Sequence, residues 1–160
     1  MFQKIYIKIF LILFLLYQTP LHSKSVSFDN FNSKDLSKYF SGLVASVNKK
    51  NSEALNFFNS SKILIDSHDP FIQKYVNSLV LEDKVVQAIN VIKQNKNNDN
   101  INFFDAYLLL IIDNLKKNDL DKAYYNLVNV IENTTTSKFN LAILESLRQY
   151  IFVFKEGRIS

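Results

Sequence analysis

The sequence predicts an all-α protein made of antiparallel helical hairpins that stack as a short α-solenoid. Only two glycines and two prolines occur among its 160 residues, far too few for the many turns of a β protein. Apolar residues recur at intervals of three and four along most of the chain, as they do on one face of a helix. Three alanines, Ala54, Ala88 and Ala123, stand near the start of such segments at spacings of 34 and 35 residues. A repeated period of this size is typical of stacked-repeat proteins.

Residues 1–25 have the layout of an export signal. Lys4 precedes an apolar run that extends to Tyr17 and is interrupted by Lys8, and Pro20 follows. The uninterrupted part is shorter than the roughly 20 residues that span a bilayer, so we predict a secretory signal peptide. No clean Ala-x-Ala cleavage site follows it, which leaves an uncleaved N-terminal anchor as the alternative. In both cases we expect the rest of the chain to be exported.

Seven helices are predicted after a short linker. Residues 26–34 show no sustained period and are interpreted as that linker. The helices of the repeat domain, residues 35–155, are predicted over 35–48 and 52–65, 70–81 and 84–96, 103–116 and 119–132, and 137–155. We expect Asn51 and Asp69 to cap their helices and Pro70 to occupy a first helical position, where its missing N–H costs nothing. A tail of residues 156–160 ends the chain.

The alanines have a physical role in such hairpins. Two helices approach to about 8–10 Å only where the residue at their contact is small. A bulky apolar residue follows each alanine by four positions and can fill the space one turn further along; these residues are Phe58, Ile92 and Leu127. The alternative is that alanine simply favours helix and that three fell at this spacing by chance.

This spacing resembles that of the tetratricopeptide-repeat (TPR) family. The first unit matches the family pattern most completely, with Gly42, Ala54, Phe58 and Ser61. The second and third units match in part, because Val76 and Ile111 stand where the first unit has Gly42. We expect these larger residues to move the paired helices apart or to shift their register.

The resemblance implies a right-handed solenoid that serves as an interaction scaffold. It places partner contacts on the inner face of the first helix of each pair, which corresponds to Tyr39, Leu43, Gln73 and Asn77. The alternative is that these are ordinary packing or solvent-exposed positions. The leader and the degenerate repeats are similar to those of exported proteins of Gram-negative bacteria. This similarity implies a periplasmic location, or an inner-membrane one if the leader is retained.

Residue types that carry chemistry are scarce. The chain has no cysteine, and its two histidines are His22, in the leader, and His68, in a predicted exposed turn. A Ser–His–acid triad and a zinc site are therefore not supported. The two glycines, Gly42 and Gly157, cannot form a phosphate-binding loop. We predict a protein that is not an enzyme and has no cofactor and no metal.

The charge pattern does not favour nucleic acid. Lys4 and Lys8 of the leader contribute two of the formal charges that give +4, and the other charges are interspersed. No basic stripe of the kind that nucleic-acid-binding proteins use is visible. Acidic pairs occur at predicted helix starts, where carboxylates complement the helix dipole, although the sequence does not exclude catalytic carboxylates there. These pairs are Glu82 with Asp83 and Asp119 with Asp121.

Two functions follow from the pattern. The first is a scaffold that binds a protein or peptide partner in the cell envelope, with membrane contact only through an uncleaved leader. The second is the N-terminal part of a longer helical-repeat protein, or a subunit that associates with itself. The second depends on the last helix, where a terminal repeat should present a polar face but the sequence is apolar. Self-association is predicted to use Tyr150, Ile151 and Phe154.

Overall fold

The chain is all-α wherever the structure describes it. A computed structural model describes residues 32–97, 99–133 and 137–156, and within these ranges it contains seven α-helices and no β-strand. The helices are α1 (Ser33–Val47), α2 (Asn51–Asn59), α3 (Pro70–Leu81), α4 (Val85–Gln94), α5 (Phe104–Lys116), α6 (Leu120–Asn133) and α7 (Lys138–Glu156). The all-α prediction is confirmed. The predicted leader, most of the linker and all but the first residue of the tail lie outside the described residues.

Consecutive helices pack against each other along the chain. Helix α1 packs on α2, α3 on α4, and α5 on α6, while α2 also contacts α3 and α4 contacts α5. Short 3-10 helices, Lys62–Asp66 and Asp99–Ile101, lie on the connections from α2 to α3 and from α4 to α5. No helix in the described part of the chain has both the length and the hydrophobicity that a membrane crossing requires.

The same turn joins the two helices of each pair. Lys49, Asp83 and Asn118 have positive φ angles of 59°, 56° and 57°. The N–H of the following residue donates to a carbonyl five residues back in each turn, from Lys50 to Ala45, from Lys84 to Leu79 and from Asp119 to Asn114. This is the Schellman arrangement, which satisfies carbonyls at a helix end. It is formed here without glycine, five residues before each of the three repeated alanines.

Gly42 of α1 lies directly against the ring of Phe58 in α2. A Cβ atom built on Gly42 would stand 2.7 Å from Cε1 of that ring. Phe58 is fully buried, and so is Ala54 one turn earlier. The two helices therefore meet at a position that has no room for a side chain.

Helix α2 ends earlier than the sequence predicts. The predicted helix over 52–65 stops at Asn59 and is followed by the first 3-10 helix. The hydroxyls of Ser60 and Ser61 donate to the carbonyls of Asn56 and Phe57, both at 2.9 Å. Serine side chains that bond to nearby backbone in this way compete with the regular helical pattern.

The predicted caps are correct only in part. Asn51 is the first residue of α2 rather than its cap, and the cap position, Lys50, makes no side-chain capping bond. Asp69 has helical backbone angles and also makes no such bond, whereas Pro70 does occupy the first turn of α3. Helix α1 begins inside the predicted linker because Asn32 accepts a bond from the backbone N–H of Lys34 at 3.0 Å.

The buried side chains form two clusters. The first is built from α1 to α4 and continues into Ile101 and Ala106. The second contains residues of α5, α6 and α7, namely Ile111, Ala123, Leu127, Val130, Leu144 and Ile151. Ile151 is only 1% exposed, because that face of α7 packs on α6. It is therefore a core residue and not part of the exposed surface that the sequence predicts for self-association.

Candidate functional site

The residues predicted to pack the repeats are all buried. They are Gly42, Ala54, Phe58, Ser61, Ala88, Ile92, Ala123 and Leu127. Val76 and Ile111, which replace the small residue of the first unit, are buried as well. These positions build the scaffold, and any binding site has to be sought among the side chains that remain at its surface.

The four residues predicted to contact a partner are placed differently from one another. Tyr39 is 3% exposed, and its ring centroid lies 6.0 Å from that of Phe58. This burial makes Tyr39 a core residue rather than a surface for a partner. Leu43 packs against the first core cluster, and Gln73 is half-buried. Asn77 is also half-buried, and it lines a cleft.

That cleft, which we call the inner cleft, lies between α3 and α5. Its volume is about 350 Å³, and its lining consists of Asn77, Val80, Leu81, Asp105, Leu108 and Leu109. Four of these six side chains are aliphatic. The inner cleft therefore suits an apolar side chain, with Asn77 and Asp105 as its polar groups.

A larger groove lies among α4, α5 and α6. Its volume is about 800 Å³, and we call it the lysine groove after four of its members. Its ionic residues are Lys93, Lys96, Lys117, Lys122 and Asp119, and its other polar lining residues are Asn97, Asn102, Tyr107, Asn114, Tyr125, Asn126 and Asn129. Leu110, which is half-buried, supplies apolar surface, whereas Ile92 and Ile101, which also line the groove, are buried. The volume of the groove falls within the range of ligand-binding clefts.

One carboxylate fixes two of the lysines in the groove. Oδ2 of Asp113 accepts hydrogen bonds from Nζ of Lys93 at 2.6 Å and from Nζ of Lys117 at 2.7 Å. The Asp113 side chain is 12% exposed, whereas both lysine side chains are largely exposed. The bonds from Lys117 and Lys93 hold the pKa of Asp113 below its ordinary value. The bond to Asp113 likewise raises the pKa of Lys117.

The other two lysines add positive charge. Nζ of Lys122 donates to Oδ2 of Asp119 at 2.6 Å, and this bond is the main reason that the pKa of Asp119 is lowered. Lys96 forms no ion pair with a carboxylate of the described residues. Among the described side chains, the groove lining carries four ammonium groups and the carboxylate of Asp119, while Asp113 bonds to two of the lysines. Each ammonium group has three donors, so donors remain for a ligand.

Helix α6 presents a polar stripe to the groove. Lys122, Tyr125, Asn126 and Asn129 are spaced by three, one and three residues, which places them on one helix face. On α5, the Tyr107 hydroxyl donates to Oδ1 of Asn102 at 2.9 Å, and burial raises the pKa of that phenol. Tyr107 is therefore a neutral group at physiological pH.

Sequence reasoning did not find this groove, although part of its signal is visible in the sequence. The stripe on α6 has helical spacing and could have been recognised as a second, polar face. The pairing of Lys93 with Asp113 could not have been recognised from the sequence, because the two residues are 20 positions apart and on different helices. His68 also differs from prediction, since it is half-buried with its ring 4.7 Å from that of Tyr39 rather than exposed.

The groove supplies hydrogen-bond donors from ammonium, amide and phenol groups. Within the described ranges, no three histidine, aspartate or glutamate side chains are grouped so that they could hold a metal ion. The scan of known protein-family models and the searches of curated proteins and of solved structures found no match for this chain. Function is therefore inferred from the helices and the groove themselves.

Proposed function

We propose that this chain is a non-catalytic, TPR-like scaffold that binds a protein or peptide partner in the cell envelope. The observation that carries the proposal is the repeated turn. Lys49, Asp83 and Asn118 adopt the same left-handed conformation at intervals of 34 and 35 residues. A buried alanine follows each of them by five residues. Such recurrence supports one structural unit used three times.

Contacts between successive pairs support a stack of these units. The ring of Phe71 in α3 meets that of Phe58 in α2 edge-on, with centroids 6.0 Å apart. Further along, the ion pair of Lys93 with Asp113 joins α4 to α5. We propose that the pairs form a short right-handed α-solenoid, which offers extended surfaces to a partner. Export to the periplasm is part of the proposal and depends on residues 1–25.

The electrostatics favour binding over catalysis. A general base works best when its pKa lies near the working pH. The pKa values of Asp113 and Asp119 are instead shifted downward by their lysine partners. These carboxylates stay ionised and paired at neutral pH, so they position the lysines and are poorly suited to accept protons.

A random-peptide display selection on the chain in its exported form tests the proposal. We expect related peptides to be enriched and to compete with one another. Asn126→Trp would obstruct the lysine groove, and Asn77→Trp would obstruct the inner cleft. At least one of these variants should lose the enriched peptides while retaining its helical circular dichroism spectrum. The proposal is contradicted if no related peptides are enriched, or if both variants bind them as the original chain does.

A second function, self-association or membership of a larger helical assembly, is supported by the exposed face of α7. Tyr150 and Phe154 are 48% and 63% exposed, and their ring centroids lie 4.4 Å apart. Sedimentation velocity should show concentration-dependent association that the double change Tyr150→Ser and Phe154→Ser abolishes. Tyr125→Ser, at another exposed aromatic residue, serves as the control. A monomer at high concentration would exclude self-association.

A further inference from the structure

We propose that the lysine groove binds an extended peptide segment rich in aspartate and glutamate. This inference rests on the proposed scaffold function and names the chemistry of its partner. It draws on three properties of the groove: its surplus of positive charge, its mixture of amide and apolar lining, and the fixed position of two of its lysines.

The charge surplus is held in place. Asp113 keeps the ammonium groups of Lys93 and Lys117 together at one carboxylate, with each Nζ within 2.7 Å of the same oxygen. These two lysines lose less side-chain freedom on binding than independent surface lysines would, because their positions are already restricted. Their remaining donors are available to carboxylates of a ligand.

Lys96 and Lys122 extend this charge beyond the fixed pair. Lys96 follows Lys93 by three residues in the turn after α4, and Lys122 lies on α6. Cationic side chains from three parts of the chain thus line one groove of about 800 Å³. Several acidic side chains of an extended segment can be recognised at once by such an arrangement, whereas a single anion would use only part of it.

The rest of the lining favours a peptide over a nucleic acid. Asparagine amides supply both a donor and an acceptor, as a peptide backbone does, and Asn97, Asn126 and Asn129 line the groove. A phosphodiester backbone has no N–H groups to bond to the asparagine carbonyls. The described lining also contains no arginine, the residue best matched to phosphate geometry. Leu110, which is half-buried, provides apolar surface for an aliphatic part of a peptide.

Fluorescence anisotropy with the full chain tests the inference. The probe is a fluorescein-labelled oligoglutamate, and labelled oligolysine and oligothymidylate of equal length are the comparisons. We expect the oligoglutamate to bind, to bind more weakly as salt increases, and to be preferred over both comparisons. The double variant Lys96→Gln, Lys122→Gln should weaken its binding about fivefold to tenfold, as expected for two exposed ion pairs.

The matched control is Lys34→Gln with Lys74→Gln, which removes the same charge from α1 and α3. Its effect should stay within about twofold, because these lysines lie outside the groove. Equal losses in the two double variants would overturn the inference, since they would show attraction to net charge alone. Stronger binding of oligothymidylate would overturn the peptide assignment. Absence of oligoglutamate binding would also overturn it.

The display selection separates this inference from the scaffold function. Enrichment of neutral or apolar peptides, lost in Asn77→Trp but kept in Asn126→Trp, would refute the acidic-peptide inference while leaving the scaffold function in place. Failure to enrich any related peptides would contradict the scaffold function itself.

Discussion

The contact between Gly42 and Phe58 gives the sharpest test of how the first helix pair is built. In the change Gly42→Ala, the new Cβ would lie 2.7 Å from Cε1 and 3.0 Å from Cδ1 of the Phe58 ring. Ordinary contacts between carbon atoms are about 3.5–4.0 Å. Either the ring or the helix must therefore move. The ring is fully buried between Tyr39 and Phe71, with both centroids 6.0 Å away, so it has little space to do so.

Two effects of opposite sign determine how much Gly42→Ala changes the free energy of unfolding. Replacing glycine by alanine inside a helix stabilises it by about 0.8–1.0 kcal/mol. Overpacking a well-packed core costs about 1–3 kcal/mol. We therefore expect Gly42→Ala to lower the free energy of unfolding by up to about 2 kcal/mol. In a Phe58→Leu background the obstruction is relieved, and the same change should stabilise the protein by up to about 1 kcal/mol.

A double-mutant cycle measured by urea denaturation isolates the contact. The coupling energy between Gly42→Ala and Phe58→Leu should be about 1–3 kcal/mol, and the slope of unfolding against urea should stay constant. The packing described for α1 and α2 would be refuted if Gly42→Ala stabilised both backgrounds equally. In that case only the helix propensity of alanine would be acting.

Three further predictions concern the turns, the buried alanines and a surface ion pair. Lys49→Gly should stabilise the chain by about 0.5–1 kcal/mol in thermal unfolding. The left-handed conformation of Lys49 costs a residue with a side chain roughly 1–2 kcal/mol, and the greater entropy of glycine in the unfolded chain cancels part of the gain from removing that cost. A loss of stability would contradict the turn geometry. Ala88→Phe should destabilise the protein by about 1–3 kcal/mol through overpacking, because Ala88 is buried. The control Gln87→Phe, on the exposed side of the same helix, should have little effect. Equal effects of the two changes would argue against close packing at Ala88. Arg148 lowers the pKa of Glu145 from 4.5 to about 2, so the stabilisation that Glu145 provides is present above pH 4.5 and is lost as the pH falls to about 2. Urea denaturation should thus show Glu145→Gln to be less stable than the original chain at neutral pH but not near pH 2, and a difference independent of pH would count against this ion pair.

Helix positions were predictable because they depend on neighbours three and four residues apart. Helix α3 occupies Pro70–Leu81, the same range that the sequence predicts for it. Boundaries that depend on side-chain bonds were less predictable. Helix α2 ends at Asn59 because Ser60 and Ser61 bond to the backbone before them, although the apolar pattern continues to Ile65.

Faces of helices were predictable only where the partner helix was known. The last helix is apolar around much of its surface, and the sequence predicted that Tyr150, Ile151 and Phe154 form one exposed surface for self-association. Packing on α6 buries Ile151 and leaves the two aromatic residues exposed. Tyr39 is a similar case, because its burial depends on Phe71 of a different helix pair, 32 residues further along.

The sequence by itself determined the helical class, the pairing of helices through closely spaced turns, and the period of 34 and 35 residues that Ala54, Ala88 and Ala123 mark. These properties are encoded locally, in glycine and proline content and in the spacing of apolar residues. Only the tertiary structure decided which charges from separate helices meet. Asp113 and Lys117 are four residues apart in the chain, and Lys93 joins them because α4 and α5 pack together. A groove between helices has no local signature, since its residues come from separate segments whose relative placement depends on packing.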